Sequence, residues 1–252
     1  TVLGLRSAPP SPAAPLLGME DGADGTEPIP FRYETRDYAV AEDEDAPRLR
    51  LRELLADPLR PVVLPTGTGG HVWASARALA AELWRRRDGL LRMVGSVLEL
   101  GAGCGLAGLC AASLVAAGTP VLLTDACDGA LEVLANNARL NGDQLRGCVD
   151  VRHLDWTEVL DGTAEAPPPP VELLLAADLI WMDSHGEQLG RIARLLVRPG
   201  GCLILATELE RQGLGAFERA LLMEEEASSL PRADVGPHFT VERLDTACDG
   251  VA

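Results

Sequence analysis

Val97-Leu98-Glu99-Leu100 is a short apolar run that passes into Gly101-Ala102-Gly103-Cys104-Gly105 and then into the apolar stretch Leu106-Ala107-Gly108-Leu109. The order predicts a buried strand, a sharp glycine turn and a helix. Glycine suits such a turn because it adopts positive φ freely and lets a ligand approach bare backbone, as nucleotide-binding loops require. The same alternation continues downstream. Strands are predicted at 121–124, 149–154, 173–176, 202–206 and 239–244, and helices at 106–117, 129–141, 187–197 and 215–227. Regular strand and helix alternation with short connections demands an α/β fold with a doubly wound, Rossmann-like and mostly parallel sheet. In such a sheet a ligand binds beyond the carboxyl ends of the strands, where the strand order reverses. The residues there are Glu99 with the glycine turn, Thr124-Asp125, Leu154-Asp155-Trp156, and Ala177-Asp178-Leu179-Ile180-Trp181.

Upstream of this core, residues 74–91 place Ala76, Leu79, Ala80, Leu83, Trp84 and Leu91 near one helical face. Phe31–Val40 and Arg48–Arg52 alternate apolar with polar residues and predict a small β element over 31–64, ahead of a core over 65–252, the two forming one domain over 31–252. Residues 1–30 are rich in Pro, Ala, Gly and acids and predict a disordered tail without a signal peptide. The chain begins at Thr1, with Met19 as an alternative natural start, and no further strand is legible after Leu244, which suggests a shortened C-terminus. Pro167–Pro170 predicts a stiff surface loop.

A chain of 252 residues with 47% hydrophobic content can bury one ordinary core. No apolar run approaches the roughly 20 residues that span a bilayer, so no membrane segment is expected. Six cysteines lack the spacing of a zinc site and predict buried thiols in a reducing compartment, cytoplasmic or nuclear. The net charge is −16, and all 22 basic residues are arginine. Such a surface repels nucleic acid and favours a partner with a basic surface. A monomer is expected. The four histidines have no ligand spacing and no matched nucleophile, so no metal is expected.

Gly103-x-Gly105-x-x-Gly108 with Asp125 some twenty residues on matches the pattern of a dinucleotide loop, whose acid binds the ribose of NAD. The register argues otherwise, because the dinucleotide pattern opens directly off its strand while here Gly101 comes first, preceded by Glu99. Read by itself the loop fits two cofactors; an acid ahead of Gly-x-Gly-x-Gly resembles the loop of S-adenosyl-L-methionine-dependent methyltransferases, whose cofactor has no pyrophosphate.

The chain also resembles the seven-β-strand, S-adenosylmethionine-dependent methyltransferases, and within them the family-16, lysine-methyltransferase-like group. The likeness runs over residues 65–210 and rests on an ordered set: Thr68-Gly69-Gly70-His71-Val72-Trp73, Leu98 to Leu106, Asn137-x-x-x-Asn141, His153-Leu154-Asp155-Trp156 and Ala177-Asp178-Leu179-Ile180-Trp181. It implies the class I methyltransferase fold and transfer of a methyl group to lysine nitrogen of a protein substrate. It further implies that Glu99, Gly101, Gly103 and Gly105 lie against the methionine part of the cofactor, and that Asp125 accepts from the ribose hydroxyls. Asp155 and Trp156 would meet the adenine, Trp73 and Ala177 would wall the cofactor, and Asp178 and Trp181 would stand at the acceptor nitrogen. Trp181 departs from the Tyr usual in the family, so a phenol hydroxyl is missing there. A small-molecule methyltransferase and a non-catalytic interaction protein on the same fold are the alternatives. By their own positions, Asp128 is expected to cap its helix, Asn137 and Asn141 to bond their helix end and the following turn, and Glu208 and Glu210 to form an exposed acidic loop.

Overall fold

The structure, a computed structural model, describes residues 2–5, 32–55, 66–222 and 241–244. Nine strands are described among these residues: β1 (Val2–Leu5), β2 (Arg32–Ala39), β3 (Arg48–Leu55), β4 (Val97–Leu100), β5 (Pro120–Asp125), β6 (Cys148–His153), β7 (Val171–Ala177), β8 (Val197–Ala206) and β9 (Val241–Leu244). They alternate with α1 (Ala74–Arg85), α2 (Leu106–Leu114), α3 (Asp128–Leu140), α4 (Trp156–Leu160), α5 (Asp183–Leu196) and α6 (Leu214–Leu222). Seven strands form one sheet in the order β6-β5-β4-β7-β8-β1-β9, and β2-β3 form a separate pair. Every pairing in the large sheet is parallel. The chain winds outward from β4 to β6 and returns on the other side at β7, so the crevice between β4 and β7 is where a ligand belongs.

Two cores follow from strand periodicity. Val97 of β4, Leu173 and Leu175 of β7 and Ile204 of β8 face α1, α2 and the hairpin residues Leu49 and Leu51. Leu98, Leu100, Leu174, Ala176, Leu203 and Leu205 face the opposite way, against Leu189, Ile192 and Leu196 of α5 and Phe217 and Leu221 of α6. Because helices cover both faces, the central strands read as continuous apolar runs rather than alternating ones.

Several boundaries differ from expectation for local reasons. The helix expected over 74–91 ends at Arg85, and a π-helical turn over Arg87–Leu91 follows. The helix at 106–117 stops at Leu114, where Val115 turns extended and Gly118 takes φ 81° before β5. α5 starts at Asp183, an acid in its first turn that suits the positive helix end. α4 has no long apolar periodicity and was not legible. Val2–Leu5, expected within an unstructured tail, pairs with β8 and β9. The rest of that tail lies outside the described residues, as do residues 31 and 56–64 of the β element, residue 65 of the core and the end of the helix expected over 215–227.

The hairpin is anchored in an unexpected way. The Asn137 and Asn141 side chains reach across to β3 instead of only closing their own helix. Arg52 N–H donates to Asn137 Oδ1 at 2.7 Å and Asn137 Nδ2 donates to Arg52 O at 3.1 Å. Arg50 N–H donates to Asn141 Oδ1 at 2.9 Å and Asn141 Nδ2 donates to Arg50 O at 2.8 Å. Asn141 Nδ2 also donates to Asn137 O at 2.8 Å, the one part of the helix-end expectation that the structure retains.

Candidate functional site

The glycine turn sits on the carboxyl ends of β4 and β5. Gly101, Gly103 and Gly105 all adopt positive φ, at 56°, 51° and 86°. Ala102 N–H donates to Thr124 O at 2.8 Å and Gly105 N–H to Ala102 O at 2.7 Å, which curls the turn back over β5. At Gly103 the space is as decisive as the angle, since a Cβ there would lie 2.8 Å from the Gly69 carbonyl oxygen. The segment Gly67–Gly70 therefore closes over the turn as the opposite lip of a cleft.

Asp125 ends β5 and faces that cleft. Its Oδ2 accepts from Gly103 N–H at 3.0 Å and its Oδ1 from Cys127 N–H at 3.0 Å. The two backbone bonds fix the carboxylate, and each oxygen retains a lone pair for a further donor. The bond to Cys127 also corrects the expectation for Asp128, which lies in the first turn of α3 without a side-chain cap bond. Glu99 is buried at 2% exposure, forms part of the cleft floor, and accepts the Gly108 N–H at 2.9 Å. Burial pushes its carboxyl up to about 8; the Gly108 bond opposes that rise and the Asp125 charge adds to it.

The far end of the cleft is aromatic. Trp73 opens α1 at 41% exposure, held by its Nε1–H donating to Thr68 O at 2.9 Å. Its ring meets Trp181 at right angles, 6.3 Å between centroids. Asp178 is buried and stands at φ 57°, the one non-glycine residue with positive φ among those described. Asp tolerates this left-handed region better than most residues, and strained backbone of this kind gathers at functional sites. Asp178 Oδ1 accepts from Arg211 Nη2 at 2.7 Å, and the Arg211 guanidinium carbon lies 5.2 Å from the Trp181 ring centroid. Arg211 also pairs with Glu208 at 3.5 Å, so Glu208 is a half-buried ion-pair member rather than part of an exposed loop, whereas Glu210 is exposed.

One cleft of about 440 Å³ joins these parts. It is lined by all the residues expected there: Trp73, Glu99, Gly101, Gly103, Gly105, Asp125, Asp155, Trp156, Ala177, Asp178 and Trp181. Asp155 Oδ1 caps α4 by accepting from Thr157 N–H at 2.8 Å, and Trp156 packs partly on the second core. Sequence reasoning missed Thr68, His71, Cys127, His185 and Gln188 in the lining, and Arg211 behind Asp178. Of these only the Thr68–His71 stretch lay in a noticed motif; the others depend on how α3, α5 and the β8–α6 connection fold back. Among the described residues no group of three His, Cys, Asp or Glu side chains is placed to hold a metal ion, and no helix is long and apolar enough to cross a membrane.

The family model described as lysine methyltransferase matches residues 63–221. Histone-arginine methyltransferase METTL23 of Xenopus laevis is 32% identical over 139 residues, 54% of this chain and 55% of that protein. Protein N-lysine methyltransferase METTL21A of Xenopus tropicalis is 32% identical over 148 residues, 58% of this chain and 63% of that protein. The chain thus spans between about half and two thirds of the length of these relatives. An O-methyltransferase from Bacillus cereus, crystallised with SAH, overlays with TM-score 0.43 at 16% identity, covering 60% of this chain and 68% of that one. The cleft, with its glycine turn and successive strand-end carboxylates, lies wholly within the matched span, and the chain belongs to the lysine methyltransferase family, with its class I methyltransferase, Rossmann-like fold.

Proposed function

We propose that the protein transfers a methyl group from S-adenosyl-L-methionine to a lysine side chain of a protein substrate. The observation that carries this reading is the continuity of one cleft from the Asp125 carboxylate and glycine turn to the Trp73–Trp181 corner beside Asp178. The residues suit the cofactor. A Cβ at Gly103 would fill the cradle, and the Asp125 carboxylate offers two acceptors to two adjacent ribose hydroxyls. Asp155 and Trp156 line the same cleft and would offer the adenine an acceptor and an aromatic ring, and Ala177 lines it at the end of β7.

When bound, the cofactor supplies a methyl group on a sulfonium that is already a good leaving group. The chain's own task is alignment and exclusion of water. Trp73 and Trp181 wall the acceptor end and offer π faces to a cationic side chain. The acceptor amine must be neutral to attack. With a reference pKa of about 10.4, this costs roughly 4.6 kcal/mol at pH 7. An uncompensated carboxylate would add to that cost by holding the ammonium form. Asp178 is instead paired with Arg211, so it can orient the amine without the full penalty of its charge.

Incubation with radiolabelled S-adenosylmethionine and a protein extract, followed by amino-acid analysis of the labelled protein, tests the reading. Labelled methyl-lysine is expected. Tight cofactor binding with label only in the low-molecular-weight fraction would overturn it in favour of a small-molecule acceptor, and absence of binding would favour an interaction protein. Labelled methyl-arginine is the outcome of a second reading, favoured by the Arg211 guanidinium, which sits between a carboxylate and the Trp181 ring at the acceptor end. Because the chain has no lysine, methyl-lysine in this assay cannot arise from self-modification. The reading further takes the protein to act as a monomer on a partner with a basic surface, in the cytoplasm or nucleus. The acidic balance supports the partner's basic surface, and the buried thiols of Cys104 and Cys110 suit a reducing compartment; against the expectation of buried thiols throughout, Cys148 is exposed and Cys127 and Cys202 are half-buried.

A further inference from the structure

We propose that Asn137 is a positioning residue that couples the β2–β3 hairpin to the glycine turn, so that a ligand in the cleft and order in the hairpin reinforce each other. The argument starts from spacing. Residues four apart on a helix are separated by about 6 Å along its axis, and alternate residues of a strand by about 6.6 Å. Asn137 and Asn141 on α3 therefore match Arg50 and Arg52 on β3 one to one, and their amides take the place of a third strand on the open edge of the hairpin. That edge would otherwise expose unpaired backbone groups.

The two asparagines differ in one respect. Asn137 Nδ2 also donates to Cys104 O at 2.9 Å, so one buried amide nitrogen holds the hairpin carbonyl of Arg52 and the carbonyl in the middle of the glycine turn. Asn137 is fully buried at 0% exposure, which leaves no water to replace either bond. Asn141 contacts the hairpin equally but reaches no residue of the turn; its remaining bond goes to Asn137 O. No hairpin residue lines the cleft. Coupling between the two must therefore pass through the protein, and it is reciprocal: whatever orders the turn orders the hairpin by the same free energy.

The ligand part of this inference rests on the cofactor reading above, and the experiment separates the two. Hydrogen exchange is measured on the full chain without ligand, as wild type, Asn137→Ala and Asn141→Ala. Each variant is expected to speed exchange in the hairpin, at Arg52 and Arg50 respectively. Only Asn137→Ala is expected to speed exchange of the 101–106 amides, by about tenfold. Unchanged exchange in the turn of Asn137→Ala, or equal acceleration in Asn141→Ala, overturns the coupling. Calorimetry with S-adenosylhomocysteine is expected to show about tenfold weaker binding to Asn137→Ala and a change of less than about twofold in Asn141→Ala. Should Asn137→Ala fail to fold, the wild type decides: S-adenosylhomocysteine must slow exchange at the Arg52 amide, and an unchanged rate there overturns the proposal. No binding to the wild type would sink the cofactor reading alone, with the ligand-free comparison still judging the coupling.

Discussion

Asp125 concentrates more of the proposed chemistry than any other side chain, because two backbone N–H groups orient its carboxylate toward the cleft. Asp125→Ala removes both the proposed ribose acceptors and the tie to Gly103. Cofactor affinity is expected to fall by about 100-fold or more, as loss of charge-assisted bonds worth about 1.5–3 kcal/mol each implies, and calorimetry with S-adenosylhomocysteine checks it. Asp125 was legible because it ends a strand after a glycine turn. Glu99 was legible as an acid before that turn, yet its bond to Gly108 appears only when α2 packs over β4. Its carboxyl, raised from 4.5 to about 8 by burial, keeps a proton in the folded chain that the unfolded chain has released. Stability from this group is thus complete below the unfolded value, declines between the two values, and is lost above the folded one. Glu99→Gln cannot ionise and is expected to gain on the wild type as pH rises, by up to about 1.4 kcal/mol per unit across that window. Urea denaturation at about pH 5 and pH 9 reads the difference; a gap that does not widen with pH would refute it.

At the scale of elements, α2 shows how the site and the core share one device. Gly105 precedes the helix in a left-handed conformation and makes no side-chain cap bond. A helix leaves its first N–H groups without internal partners, and a carboxyl oxygen of Glu99 from β4 accepts the one at Gly108. Gly108 must be glycine for this to happen, because a Cβ would strike both the Glu99 carboxylate and the Leu123 side chain. Gly108→Ala is expected to destabilise the fold by about 1–3 kcal/mol, read by urea denaturation, and to loosen the adjoining glycine turn. The sequence pattern Gly103-x-Gly105-x-x-Gly108 matched a dinucleotide loop because it placed a glycine at this position. In the structure that glycine serves the close contact between helix and strand, the same task the third glycine has in a dinucleotide loop, so its presence does not separate the two cofactors.

At the scale of the whole molecule, the charge of −16 with no lysine gives a field that attracts basic segments over a distance set by salt. The specificity constant for a lysine-rich peptide acceptor is expected to fall several-fold between about 50 and 300 mM salt, with S-adenosylhomocysteine affinity far less affected. Steady-state kinetics against ionic strength tests this, and a flat profile would remove the field from the account of partner choice.

The strand order came from the structure, while the sequence by itself determined the parallel α/β plan and the strand-end residues of the cleft. These depend on apolar periodicity and glycine placement, which are local and act within a few residues. It could not determine the ion pair between Asp178 and Arg211, 33 positions apart, or the bonds from Asn137 to Arg52, 85 positions apart. Side chains of Asn and Arg satisfy any nearby partner, so their identity carries no information about which partner that is. Only the packing of α3 against β3 and of the β8–α6 connection against β7 brought those partners within reach. The tertiary structure thereby turned an expected helix-end motif into the brace of the hairpin, and a lone strand-end acid into half of a partly buried ion pair.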